Sequence, residues 1–262
     1  MIRRPPRSTL DRSSAASDVY KRQVEKHRKP GTLITSNTSG IPIHLMTAGR
    51  SDDFRKNFCG THFFNPPRYL RLLEVIPTPE TDPEVVSFLM EYGDLFLGKT
   101  TVLCKDTPAI IANRIGVFAI MSLLHQVEKM QLSVAEVDKL TGPVLGRPKS
   151  ATFRTTDVVG LDTMIHVANG LYANCKDDAD RDEFKLPAFV SKMSENKWLG
   201  DKTGQGFYKK VKSDSGKSEI LELNLNTLEY QQDPKSKLES ITISKQIENL
   251  SARIKAIIKM EI

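Results

Sequence analysis

The order of apolar and polar positions in this chain divides it into a first half of short alternating runs and a second half of longer helical stripes. Thr32 to Ser36 (TLITS) reads as a strand entering the polar turn Asn37-Thr38-Ser39-Gly40, and Ile41 to Ala48 as a short helix or irregular segment. Asn57 to Phe64 is a second strand, rich in Phe and stopped by Asn65-Pro66-Pro67, because proline cannot donate to a ladder. Leu70 to Ile76 is apolar on both sides of its alternation, as in a strand covered on both faces, and Glu74 interrupts it. Asp82 to Leu97 opens Asp-Pro-Glu and carries Val85, Leu89, Tyr92 and Leu95/Phe96, a helix that Gly98 ends. Thr100 to Cys104 completes a strand, helix, strand crossover, the unit of a doubly wound α/β domain.

From Asp106 onward helical periods take over. Asp106 is expected to cap a helix with Pro108 in its first turn, and the apolar run Ile110 to Met130 implies burial on most sides or at a dimer contact. Ser133 with Glu136 forms a capping box, Asp157 is expected to cap a helix running to about Tyr172, and Lys185 to Ser194 is one more. Gly204-Gln205-Gly206 has neither a preceding strand nor a following helix, so it reads as a turn into an extended FYKK, not as a phosphate loop. Beyond Lys209 come a polar loop SDSGKSE, a strand-like LELNLNTLEY, a linker from Pro234, and a helical stripe of Ile243, Ile247, Leu250, Ile254 and Ile257. That stripe ends at Ile262, as though the natural chain continued.

Composition narrows the class. With 262 residues and 39% hydrophobic content, one large or two modest soluble domains can bury a core. No apolar run is long enough to span a bilayer, and no secretory signal opens the chain. The net charge of +6 is mostly local: residues 1–23 hold six basic and two acidic side chains, a balance of +4, which argues against a nucleic-acid-binding body. Those 23 residues lack a hydrophobic period, are rich in Arg, Pro and Ser, and resemble translated adaptor sequence joined to a truncated gene, so disorder is expected there. Three cysteines without metal-like spacing fit reduced thiols in the cytoplasm.

Two buried strands thus deliver one histidine and one glutamate. An unpaired buried carboxylate is costly, and His62 is the attractive partner for Glu74, since a carboxylate on one ring nitrogen fixes the tautomer and raises the basicity of the other. On pattern alone a histidine satisfied in the core competes with this reading.

The block GTHFFNPPRYLRLLEVIP, with TSNTSG at 35–40, DTPAIIANRIG at 106–116, DVVGLDT at 157–163 and DKTGQGFYKK at 201–210, resembles the L-3-hydroxyacyl-CoA dehydrogenase family of fatty-acid β-oxidation, across about Val24 to Lys210. The resemblance implies an α/β followed by all-α architecture: the C-terminal part of a Rossmann-type NAD-binding domain over 24–105, then a helical substrate and dimerisation domain over 106–208. The segment 209–262 would be an extension and linker toward a further domain. It also implies NAD as cofactor and an acyl-CoA as substrate, with His62 as general base, Glu74 as its carboxylate partner, Ser39 touching substrate and nicotinamide, and Asn113 holding the substrate oxygen. Asn65 and Lys202 match positions near the nicotinamide. A homodimer, or fusion to an enoyl-CoA hydratase domain, follows from the same likeness.

No G-x-G-x-x-G follows a strand, so the front of the cofactor domain is expected to be absent, with NAD affinity and activity largely lost in this fragment. The alternatives are a dehydrogenase for another 3-hydroxy acid, such as a sugar acid, and a non-catalytic dimerisation module.

Overall fold

A computed structural model describes residues 10–212, 216–234 and 238–259, which fall into two compact units, 1–114 and 115–262. The polar loop expected around SDSGKSE lies partly outside the described residues, at 213–215, as do residues 1–9, 235–237 and the last three.

The first unit runs α1 (Leu10–His27), β1 (Ile34–Ser36), α2 (Ile43–Thr47), α3 (Asp52–Lys56), β2 (Phe58–Phe63), β3 (Leu72–Pro77), α4 (Pro83–Leu95) and β4 (Thr100–Leu103), and ends in the first turn of α5 (Ala112–Met130). Helix α1 corrects the expectation of disorder over 10–23, the rest of that stretch lying outside the described residues. From Leu10 to His27 there is neither proline nor glycine, whereas Pro30-Gly31 closes the segment. Its last turns are tied down: Glu25 accepts from the Ser51 N–H and pairs with Arg50, and Arg28 pairs with Asp53.

The sheet has the order β1-β2-β3-β4, with β1/β2 and β3/β4 parallel and β2/β3 antiparallel. Strand alternation divides the core into two faces. Phe58 and Ile76 pack with Ile43, Met46, Phe54, Cys104 and Ile110, while Cys59, Leu73 and Val75 pack under Leu89 of α4. Helix α4 is capped by Asp82 as its sequence suggests, but it is rolled from the expected face. Gly93 lies against the sheet, where a Cβ would come within 2.4 Å of Thr101. Tyr92, Leu95 and Phe96 are consequently exposed, and Phe88, Tyr92 and Phe96 stack ring on ring along the outer surface.

The second unit takes the rest of α5, then α6 (Val134–Thr141), α7 (Phe153–Val159), α8 (Leu161–Asn174), α9 (Ala188–Glu195), β5 (Tyr208–Lys212), β6 (Ser218–Leu223), β7 (Tyr230–Gln231), α10 (Glu239–Ser244) and α11 (Leu250–Lys259). Within the described chain α5 buries one stripe, Val117, Met121, Leu124 and Val127, and leaves Ile115 exposed, so it is not covered on most sides. The capping box at Ser133 and Glu136 is present. The stripe expected near the end is broken into two helices, α11 being started by the Asn249 side chain, which accepts from Ala252 N–H.

Two aspartates, the half-buried Asp138 and the buried Asp157, organise this unit. Asp138 accepts from the N–H groups of Thr152, Phe153 and Arg154 at the start of α7 and from the Tyr208 hydroxyl. Asp157 is not the helix cap expected from DVVGLDT. It sits inside α7, 1% exposed, and accepts from the backbone N–H groups of Phe207 and Tyr208 at 2.9 Å each. This close approach explains Gly206, because a Cβ there would fall 2.1 Å from the Asp157 carboxylate oxygen. In the segment around and after Lys209, β5, β6 and β7 form an antiparallel sheet, and Glu222 of β6 accepts from Ala135 N–H in α6. From Ile115 the unit is thus helical, as expected, and the small sheet follows from Tyr208.

Replacing Gly206 by Ala should destabilise the second unit by at least about 2 kcal/mol, since the added carbon must displace a hydrogen-bonded carboxylate. The single tryptophan, Trp198, lies in this unit against Tyr230, so its fluorescence in a denaturant titration reads the loss; an unchanged midpoint would contradict the packing described.

Candidate functional site

Antiparallel pairing of β2 with β3 puts His62 directly opposite Glu74. Both side chains point to the face occupied by Phe58, Gly60 and Ile76, and both are buried, with side-chain exposures of 8% and 1%. Glu74 Oε2 accepts from His62 Nδ1 at 2.7 Å. Its other oxygen, Oε1, accepts from the backbone N–H groups of Ile111 and Ala112, at 3.1 and 2.8 Å, where α5 begins. Burial alone would raise this carboxyl, but the His62 hydrogen bond and the Ala112 and Ile111 N–H groups hold it below the usual carboxylate range.

With Nδ1 donating to a carboxylate, Nε2 is the basic nitrogen of the neutral ring. The imidazole lies edge-on to Phe64, its ring centroid 4.5 Å away, which limits its tilt. Such an arrangement can take a proton at Nε2 and stabilise the resulting imidazolium.

The surrounding residues are placed by the ends of the strands. Asn37, just beyond β1, accepts from Phe63 N–H at 2.8 Å and so joins the loop carrying Ser39 to the end of β2. The turn is reinforced by Thr38 Oγ1, which accepts from Ile41 N–H. Ser39 is exposed on that loop, Asn65 is exposed two residues past β2, and Asn113 is half-buried in the first turn of α5, next to the Ala112 N–H that Glu74 holds. Lys99 donates to the carbonyl oxygens of Pro67 and Leu70, which anchors the loop beyond Asn65. Lys202 belongs to the second unit, where it is ion-paired with Asp162 of α8. The first unit thus joins His62, Glu74 and the start of α5, one residue before Asn113, by hydrogen bonds and ties the Ser39 loop to the strand bearing His62.

Sequence reasoning missed three supports. Asn37 and Lys99 act on backbone groups distant in sequence, and Asp106 was expected at the start of α5. Asp106 instead caps α2, its carboxylate accepting from the N–H groups of Ile43 and His44 at 2.9 and 2.8 Å. The cap of α5 comes from Glu74.

A partly parallel sheet with a crossover helix is a Rossmann-like nucleotide-binding architecture, here followed by a mainly helical unit. Residues 14–107 match the model of the 3-hydroxyacyl-CoA dehydrogenase NAD binding domain, and residues 110–210 that of the 3-hydroxyacyl-CoA dehydrogenase C-terminal domain. The chain belongs to the 3-hydroxyacyl-CoA dehydrogenase family. It is 50% identical over 238 residues to a probable 3-hydroxyacyl-CoA dehydrogenase of Bacillus subtilis, covering 90% of this chain and 29% of that protein. A second protein of the same description, from Deinococcus radiodurans, is 49% identical over 208 residues, 79% of this chain and 59% of that one. A putative fatty acid oxidation complex trifunctional enzyme of Rickettsia felis is 33% identical over 209 residues, again 79% of this chain and 29% of that protein. The crystal structure of M. tuberculosis FadB2 superposes with a TM-score of 0.67 at 29% identity, over 76% of this chain and 67% of that one. The chain therefore spans less than two thirds of the length of these curated relatives.

Glu74→Ala should unfold β2, β3 and the start of α5 more readily by about 3–5 kcal/mol, since it leaves two backbone donors and an imidazole without their buried acceptor. Hydrogen exchange in 58–63 and 72–77 measures this. The same carboxylate makes the wild-type unit acid-sensitive. Because its folded value is depressed, its contribution is present above the ordinary value of 4.5 and is lost as pH falls through the lower folded one. Protection that stays constant down through that window would contradict the arrangement.

Proposed function

We infer that this chain carries the catalytic base and part of the cofactor site of an NAD-dependent 3-hydroxyacyl-CoA dehydrogenase of fatty-acid β-oxidation, oxidising L-3-hydroxyacyl-CoA to the 3-oxoacyl thioester. The observation that carries this reading is the His62–Glu74 pair at the end of β2, with its carboxylate anchored on the start of α5.

His62 Nε2 takes the proton of the C3 hydroxyl as the C3 hydrogen departs with its electron pair. Glu74 holds the ring in the Nδ1–H tautomer and stabilises the imidazolium that forms, so the charge created in the reaction is met by one already in place. Asn113 donates its amide N–H to the substrate oxygen, and Ser39 orients both the substrate and the nicotinamide. NAD, when bound, supplies the hydride acceptor. The polar side chains of Ser39 and Asn65, exposed past the ends of β1 and β2, suit its nicotinamide end. Its pyrophosphate end finds no glycine-rich strand-to-helix turn among the described residues. Lys202 is a nicotinamide-side candidate on the family resemblance alone.

The thioester substrate, a homodimeric state and fusion to an enoyl-CoA hydratase domain belong to the same reading, the fusion being supported by the name of the Rickettsia relative. A cytoplasmic location accords with three free, buried cysteines and with the absence, among the described residues, of a helix long and apolar enough to cross a membrane.

The test is NADH formation from L-3-hydroxybutyryl-CoA and from a longer L-3-hydroxyacyl-CoA. His62→Gln should lower kcat by about 10²- to 10⁴-fold while KM for the thioester changes little. Glu74→Gln should shift the acid limb of the kcat/KM profile to lower pH, because imidazolium loses its stabilising carboxylate. Absence of turnover with both thioesters, in folded protein that binds NAD, would defeat the assignment.

A further inference from the structure

The proposed reaction needs Ser39 held in a fixed relation to His62, yet the loop that carries it, 37–42, is exposed at Ser39 and ends at Pro42, whose side chain cannot cap α2. The missing acceptor arrives from 63 residues further along. Asp106 Oδ1 accepts from Ile43 N–H at 2.9 Å; Oδ2 accepts from His44 N–H at 2.8 Å and lies 2.6 Å from His44 Nδ1. Its side chain is 13% exposed. Four residues after Asp106, Ile110 packs with Ile43 in one core cluster, and the next two residues, Ile111 and Ala112, donate to Glu74. The segment 106–112 therefore holds the Ser39 loop with one end and receives the catalytic carboxylate with the other. Asn37 secures the opposite end of the loop to β2.

We propose that Asp106 is a positioning residue: it sets the Ser39 loop against the His62–Glu74 pair by capping α2 from the lead-in to α5. This rests on the dehydrogenase reading for its catalytic consequence, but not for its structural one. Asp106 touches neither Glu74 nor His62, so its loss should disturb the loop while leaving the ionisation of the pair as it is.

Amide exchange and steady-state kinetics on the same variants test this. In Asp106→Ala, exchange across 37–44 should accelerate at least about tenfold while 58–63 and 72–77 keep their protection, since local opening is governed by local anchors. kcat/KM should fall at least about tenfold with the acid limb of its pH profile unmoved, unlike Glu74→Gln, because misplacement of a substrate-orienting group lowers the rate without altering the base. Asp106→Asn keeps one acceptor and should restore part of both losses; His44→Ala leaves both backbone bonds and should change either quantity by less than about threefold. Unchanged exchange at 37–44 in Asp106→Ala overturns the proposal, as does an equal loss of protection in both strands, which would make Asp106 a general core residue. A displaced acid limb overturns it too. If the wild-type protein turns over no thioester, the dehydrogenase reading fails, and the exchange pattern still decides whether Asp106 anchors the loop.

Discussion

Everything in the first unit depends on what a single buried carboxylate does with its two oxygens. Glu74 cannot lie 1% exposed in the middle of a sheet without acceptors' partners on both sides, and it has them: an imidazole on one, two backbone N–H groups on the other. The α5 N-terminus supplies positive potential as well as donors, which favours the ionised form. The pair is thus pre-charged, and the orientation of His62 is set by secondary structure instead of by a flexible loop. Antiparallel pairing of β2 and β3 within an otherwise parallel arrangement is what makes this possible, because it alone brings positions 62 and 74 opposite each other.

The second unit uses carboxylates differently. Asp138 and Asp157 accept only neutral donors, backbone N–H groups and the Tyr208 hydroxyl, and burial pushes Asp157 up to about 6 and Asp138 upward as well. For these groups folding favours the protonated form, so their contribution weakens as pH rises through that range, opposite in sign to Glu74. One chain therefore holds carboxylates of both kinds, distinguished by whether an imidazole shares the bond. Glycines 200 and 206 are part of that construction, since side chains there would meet Asp157 at 2.2 and 2.1 Å.

Much of this was legible in advance. Period-two alternation, the Pro66-Pro67 stop and the interruption at Glu74 marked two buried strands and a candidate pair, and the helix starts at Asp82 and Ser133 were readable because their caps are local. Asp106 and Asp157 misled for one shared reason. An aspartate just before an apolar helical run looks like a local cap, but these carboxylates reach backbone groups 63 and 50 residues away. Likewise the face that α4 buries is decided by Gly93, whose lack of a side chain lets the helix settle on Thr101; a count of apolar positions weighs glycine at nothing. The extended FYKK and the strand-like LELNLNTLEY were legible too; their pairing with one another and the bond from α6 to Glu222 were not, because these link segments distant in sequence. The roles of Ser39, Asn65, Asn113 and Lys202 came from family resemblance alone.

The account turns on which nitrogen of His62 carries the proton. Nitrogen-resolved NMR of the imidazole at neutral pH reads this directly. The account requires a protonated Nδ1 and an unprotonated Nε2, with that assignment lost in Glu74→Gln. An Nε2–H tautomer in the wild-type protein, or one indifferent to Glu74, would contradict it.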